Sequence, residues 1–299
     1  MTKNILITGG SGLVGKHLSD LLIQKGYNVG ILSRNPTKSD KIKYFHWDYT
    51  KNEIDSEAID FANVIIHLAG ANISHKKWTN SQKKIIIDSR VKTTELILSE
   101  LKKSNKKLDA FISASAIGFY GTKTTEKIFV EEDKSGTDFL SEVVVKWENS
   151  VDLVTNFTQR IVKLRIGVVL SKDGGALLKM TNIIKKGIGS PLGSGKQYMP
   201  WISIEDLAHL FLYAAENQNI TEAYNAVSPI HITNSEFMKG LAKQMNKPFF
   251  MPKVPAFAMK AILGEMASLL LEGSRVSSKK IQDAGFTFKY DLETVLKTL

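Results

Sequence analysis

Residues 5–15 read Ile5-Leu6-Ile7-Thr8-Gly9-Gly10-Ser11-Gly12-Leu13-Val14-Gly15: an apolar β-branched run, a cluster of glycines, then the start of an amphipathic stretch that continues to Lys25. A strand that turns on glycine directly into a helix is the opening of a dinucleotide-binding βαβ unit. Each of the three spaced glycines has a separate task. One permits the tight turn, one lets backbone approach a pyrophosphate, and one lets helix and strand pack closely. The helix start adds free N–H groups and the positive end of its dipole. Gly9, Gly12, Leu13 and Gly15 are therefore candidate phosphate-binding residues.

Outward from that unit, short β-branched runs alternate with amphipathic stretches, the pattern of parallel strands buried on both faces. Strands are expected at Asn4 to Thr8, Asn28 to Ser33, Lys43 to Trp47, Val64 to Leu68, Ala110 to Ser115 and Arg160 to Ile166. Helices are expected at Gly12 to Lys25, around Ser81 to Lys103, and at Ser141 to Thr155. Right-handed crossovers make this an α/β fold, a Rossmann-like doubly wound parallel sheet.

After Ile166 the pattern changes. A Gly-rich stretch from Gly187 to Gly195 leads through Pro200-Trp201 to a helix containing Asp206, and is expected to form a loop over a site. A further apolar helix is expected near Ala256 to Leu271. The expected organisation is a dinucleotide-binding domain over 1–170, rejoined by 202–228, and a smaller substrate-facing α+β part over 171–201 and 229–299. No internal repeat or low-complexity linker separates them, so the two parts should pack together.

The 299 residues, 43% of them hydrophobic, suffice to bury a substantial core. The chain has no cysteine, which excludes disulfides and thiolate chemistry, and its six histidines are scattered, so no metal is expected. A net charge of +10 is compatible with an acidic partner, yet the lysines come in pairs such as Lys83-Lys84 and Lys102-Lys103 on helix-like segments. That is the pattern of a solvated face, so no nucleic-acid partner is expected. The apolar run ending at Thr8 is too short for a signal-peptide core or a membrane span, and the expectation is a cytoplasmic protein acting on a small molecule.

The end of the second strand bears on the choice of dinucleotide. NAD binders usually place a carboxylate there against the ribose 2′-hydroxyl, whereas this chain has Ser33-Arg34-Asn35. The planar, permanently charged Arg34 suits a 2′-phosphate, so NADP(H) is expected ahead of NAD(H). Asp48, after the third strand, is either an acceptor for the adenine amino group or the first residue of a turn.

Further segments follow in order: His67-Leu68-Ala69-Gly70, Ser113-Ala114-Ser115 through Phe119-Tyr120-Gly121, Leu164-Arg165-Ile166-Gly167-Val168, Ile202 to Leu207, and Ala223-Tyr224-Asn225. Together with the glycine turn, they make essentially the whole chain resemble the extended, epimerase-like branch of the short-chain dehydrogenase/reductase superfamily. Gly273-Ser274-Arg275-Val276-Ser277, Lys279-Lys280 and Gly285-Phe286 resemble more specifically an epimerase/dehydratase-like family with its own C-terminal domain. The resemblance implies that Leu68, Ala69 and Gly70 line the cofactor site, and that the chain forms a homodimer through the helices at Ser81–Lys103 and Ser141–Thr155. It does not fix a reaction.

The superfamily's chemistry uses a Tyr as proton donor, a Lys four residues later that lowers its pKa, and a nearby Ser. The helix that should carry the pair reads Asp138-Phe139-Leu140-Ser141-Glu142-Val143-Val144-Val145-Lys146, with Phe139 or Leu140 at the Tyr position and Val143 or Val144 at the Lys position. Candidate replacements are Glu142 or Tyr120 as acid/base, with Ser115 orienting a substrate oxygen. Arg90 stands where many extended members place Asn, and with Arg165, Trp201 and Arg275 is a candidate for the substrate cleft. The leading reading is an NADP(H)-dependent oxidoreductase acting on a small carbonyl or hydroxyl compound. Two others stay open: a nucleotide-sugar epimerase or dehydratase, and a sensor or scaffold that binds NADP(H) without turnover.

Overall fold

The computed structural model describes residues 3–299. In chain order it runs β1 (Asn4–Thr8), α1 (Leu13–Gln24), β2 (Asn28–Ser33), β3 (Ile42–Asp48), β4 (Glu53–Ile54), α2 (Ser56–Phe61), β5 (Val64–His67), α3 (Asn80–Ser104), β6 (Ala110–Ala116), β7 (Ile128–Phe129), α4 (Phe139–Asp152) and β8 (Ile161–Ile166). There follow β9 (Val168–Ser171), α5 (Gly175–Lys185), β10 (Trp201–Ser203), α6 (Ile204–Glu216), β11 (Glu222–Ala226), α7 (Asn234–Gln244), α8 (Ala256–Leu263), α9 (Ser268–Leu271), β12 (Arg275–Val276), α10 (Lys279–Asp283) and α11 (Leu292–Lys297).

The large sheet has the order β11-β8-β6-β5-β1-β2-β3-β4, parallel except for the antiparallel pair of β3 and β4. Successive strand residues point to opposite faces, and Ile5, Leu6, Ile7, Val64, Ile65 and Ile66 all have no exposed surface, so helices cover the sheet on both sides. α1 packs on α6, and α3 packs on α2 and α4. Strand order reverses between β1 and β5, and such a switch point leaves a crevice at the carboxyl ends of the strands. Thr8 and His67 are the last residues of these two strands and stand opposite each other.

A second, smaller core gathers Leu170, Leu177, Trp201, Phe237, Leu241 and Leu296 beneath the short pair of β9 and β10. Two ties join it to the large sheet. Asp206, on the first turn of α6, accepts the backbone N–H groups of Lys289 and Tyr290 at 3.0 and 3.1 Å. β12 pairs with β7, which brings the C-terminal segment back over the end of β6.

Two elements depart from expectation. β11 completes the sheet although Glu222, Ala223, Asn225 and Ala226 are poor strand formers; its pairing with β8 decides the matter. The apolar stretch Ala256 to Leu271 is not one helix. Gly264 adopts φ 62° and separates α8 from α9. Among the described residues, no helix is long and apolar enough to cross a membrane.

Candidate functional site

The glycine turn is built as a cradle. Gly9 has φ 70°, a left-handed conformation that costs a residue with a Cβ dearly, and a Cβ there would also stand 3.0 Å from the backbone of Leu68. A Cβ on Gly15 would lie 2.4 Å from the Gly9 carbonyl oxygen, so only glycine lets α1 start this close to β1. No side chain caps α1, and its first turn holds no acidic residue; α5 and α8 share both features, whereas α3, α4, α6 and α7 are capped by Thr79, Asp138, Ser203 and Thr233. The first N–H groups of α1 thus have no side-chain acceptor, and what sets this start apart is the close approach of backbone on both sides, which leaves room for a diphosphate.

The facing wall, Leu68-Ala69-Gly70, is held by one threonine and one histidine. Thr8 Oγ1 accepts the N–H groups of Leu68 and Ala69, both at 3.1 Å, so its own hydrogen goes to His67 Nδ1 at 2.8 Å. His67 Nε2 then carries the ring proton and donates to the hydroxyls of Thr93 and Thr94, which themselves donate to backbone carbonyls of α3. Complete burial pushes the His67 pKa down to about 3, with Arg90 adding repulsion, so the ring is neutral.

Beyond the cradle lies a cavity of about 460 Å³. Val14 and Leu68 line its inner end, Ser115 and the turn that follows β6 its floor, Arg90 and α4 one side, and Tyr198, Leu269 and Gly273 of the C-terminal part the other. Leu140, Val143, Val144 and Trp147 present the cavity face of α4, so this face offers apolar side chains and no Tyr or Lys.

Under the floor runs a buried polar network. Ser115 Oγ donates to Glu148 Oε1 at 2.6 Å, and Arg165 grips the same carboxylate with Nε and Nη2, each at 2.9 Å. Arg165 Nη1 continues to the Tyr120 hydroxyl at 3.1 Å, which donates onward to Asn225 Oδ1 at 2.7 Å. Sequence reasoning missed Glu148 and Asn225. A carboxylate four residues after Val144, on the apolar stripe of α4, was the available signal for the first.

The sequence-derived candidates are sorted by these contacts. Gly9 packs against the backbone of Leu68 and Ala69, Gly12 and Gly15 close the turn against Gly9, Leu13 starts α1 with its side chain against Gly174 and Gly175, Gly70 lies against the Arg90 guanidinium, and Ser115 and Arg90 line the cavity. Ser33 ends β2, and the next residue, Arg34, is exposed and makes no hydrogen bond or ion pair among the described residues. Asp48 initiates a turn: its Oδ1 accepts the N–H and hydroxyl of Thr50, and these bonds hold its carboxyl below the usual range.

Four expectations need correction. Glu142 lies outside the cavity, half exposed and paired with Lys146 at 2.5 Å, so it reaches no substrate there. Tyr120 does line the cavity, but its proton is committed to Asn225 and burial pushes its pKa up to about 12, opposite to what a proton-exchanging phenol needs. Arg165 is 5% exposed, with every guanidinium nitrogen bonded inside the network. Trp201 has no exposed surface and fills the second core, because β10 is zipped to β9 instead of opening onto the cleft.

Comparison with known proteins agrees with this architecture. Residues 5–143 match the NAD dependent epimerase/dehydratase family, and residues 254–299 match a domain of unknown function, DUF1731. The chain is 36% identical to the epimerase family protein YfhF of Bacillus subtilis over 300 residues, covering 99% of this chain and 97% of that one. It is 32% identical to the epimerase family protein SDR39U1 of Mus musculus, covering 98% of both. The crystal structure of human epimerase family protein SDR39U1 (isoform 2) with NADPH superposes with a TM-score of 0.88 at 29% identity, over 99% of this chain and 98% of that one. The chain belongs to the extended, epimerase-like branch of the short-chain dehydrogenases/reductases, in the family that joins an NAD-dependent epimerase/dehydratase domain to its own C-terminal domain.

Proposed function

We propose that the chain binds NADP(H), in preference to NAD(H), and exchanges hydride between it and a small carbonyl or hydroxyl compound. One observation carries the reading: Val14, at the start of α1, and Leu68, on the facing wall, line the same cavity as Ser115. The phosphate cradle and the reaction chamber are continuous. The solved human relative named with NADPH supports the choice of cofactor.

Bound there, the nicotinamide supplies or accepts the hydride. The remaining tasks belong to the chain. The glycine turn and α1 hold the diphosphate, and Arg34 meets the 2′-phosphate. Leu140, Val143 and Val144 keep the chamber dry. Ser115 has its hydrogen turned toward Glu148, so its oxygen offers lone pairs to a substrate hydroxyl. As that hydroxyl is oxidised, its proton would pass to Ser115 Oγ while the serine proton passes to Glu148; for carbonyl reduction Glu148 would first take up a proton from solvent, loosening its pair with Arg165, and the relay would then run in reverse.

A second reading, binding without turnover, is favoured by the apolar residues, Phe139 or Leu140 and Val143 or Val144, standing where a Tyr and a Lys serve in the superfamily. One assay separates the two: loss of NADPH absorbance with a panel of small ketones and aldehydes. Turnover that is lost in Ser115→Ala supports hydride transfer at this serine, and its absence across the panel supports binding alone.

A further inference from the structure

Arg90 is a cation without a counter-charge. Its guanidinium lines the cavity, lies 5.1 Å from the ring centroid of Trp147, and sits close against Gly70. Its one hydrogen bond runs from Nη1 to the Ile86 carbonyl of its own helix, at 2.9 Å, and it has no carboxylate partner among the described residues. The chain's other arginines that are not exposed are provided for: Arg165 by Glu148, Arg275 by Glu126, and Arg160 by the carbonyls of Ala214, Ala215 and Ile220. The cavity's other charged residue, Glu272, is engaged by the N–H and hydroxyl of Thr124. A second donor stands idle beside Arg90. Trp147 is 5% exposed and lines the same cavity, and its buried indole N–H has no hydrogen-bond partner among the described residues.

Arg90 is half-buried, and its remaining N–H groups open on the cavity, where no acceptor among the described residues meets them; a charge drawn partly out of water gains by pairing there. Burial lowers the Arg90 pKa to about 10, which still leaves it charged at neutral pH. Packing on Trp147 explains where the guanidinium rests but satisfies none of its N–H groups. We propose that the cavity takes an anionic substrate, a small carbonyl or hydroxyl compound bearing a carboxylate or phosphate, and that Arg90 binds its oxyanion. The planar fork of guanidinium matches either group in a bidentate manner, and the apolar surround strengthens the attraction. Leu140, Val143, Val144 and Leu269 would receive an apolar body, which points to a branched or aromatic acid.

This substrate class rests on the hydride-transfer reading of the site. The same oxyanion chemistry has a second possible source, the diphosphate of the cofactor, since Gly70 belongs to the cofactor wall. The probes are 4-methyl-2-oxopentanoate, its uncharged counterpart 4-methylpentan-2-one, and inorganic phosphate, each titrated calorimetrically into the NADPH-loaded protein. The acid is expected to bind at least about tenfold more tightly than the ketone. Arg90→Gln is expected to erase that difference while leaving NADPH affinity within about twofold, and Arg90→Lys, which keeps the charge without the fork, to retain part of it. A thermal melt of each variant confirms that it is folded. If the variants leave the preference for acid intact, or if Arg90→Gln weakens NADPH and not the acid, the proposal is overturned, the latter result assigning Arg90 to the cofactor. If the wild-type protein does not bind NADPH, the cofactor reading fails by itself. The acid titration is then read on the protein alone, where an Arg90-dependent preference for acid still supports an oxyanion site and its absence overturns it.

Discussion

Ser115 Oγ donates its hydrogen to Glu148 Oε1 across 2.6 Å, and the same carboxylate oxygen receives Arg165 Nε at 2.9 Å. The serine therefore faces the cavity as an acceptor, with its orientation set from below. Two substitutions separate its roles. Ser115→Ala leaves the Glu148–Arg165 pair intact, so it should cost only about 1 kcal/mol in urea unfolding while lowering turnover about 100-fold. Glu148→Ala strands a buried guanidinium and should cost about 3–5 kcal/mol. A Glu148→Ala protein within about 1 kcal/mol of wild type in the same unfolding experiment would show that the network does not hold the floor.

Gly15→Ala forces a methyl group to within 2.4 Å of the Gly9 carbonyl oxygen unless α1 retreats from β1. Either response opens the cradle. NADPH affinity should fall at least about tenfold by fluorescence titration, since the backbone groups that hold phosphate are displaced together. Unchanged affinity would mean that α1 does not touch the phosphates.

His67 is neutral when folded, with a pKa near 3, against an ordinary 6.5 when unfolded. The unfolded chain thus binds the extra proton first as pH falls. The contribution of His67 is fully present above the unfolded value and is lost between about 6.5 and 3, with a slope approaching about 1.4 kcal/mol per pH unit. Urea midpoints between pH 7.5 and 5 should fall for the wild type more steeply than for His67→Gln, which cannot titrate. Equal pH dependence in the two proteins would contradict a buried neutral ring.

Glu142→Gln tests the corrected assignment from the other side. The side chain is half exposed and bonded only to Lys146 one turn on, so its loss should cost about 0.3–0.5 kcal/mol and leave turnover of any accepted carbonyl unchanged. A large fall in rate would return Glu142 to the site.

The parts legible in the sequence are those with local causes. The glycine turn, the alternation of strands and helices through β8, and the apolar stretch at Leu140 and Val144 are patterns of a few adjacent residues, and the expected strand and helix positions lie close to those observed. What escaped depends on pairing at a distance. Glu148 meets Ser115 33 residues away and Arg165 17 residues away, and only their convergence under β6 distinguishes it from an exposed helix glutamate such as Glu142. Trp201 follows a glycine-rich loop, as a cleft residue would, yet the pairing of β10 with β9 turns it into the second core. Arg34 lies at the opposite extreme: the signal that points to it is local, a cation where a carboxylate usually ends the second strand, and the structure leaves it exposed just after β2.

Arg34 also provides the most direct measurement. Purified wild-type protein and Arg34→Asp are titrated with NADPH and with NADH, following nicotinamide fluorescence. NADPH should bind the wild type at least about tenfold more tightly than NADH, and Arg34→Asp should erase that preference by weakening NADPH. Failure of the wild type to bind either dinucleotide would contradict the cradle itself, and equal binding of both would contradict the role of Arg34.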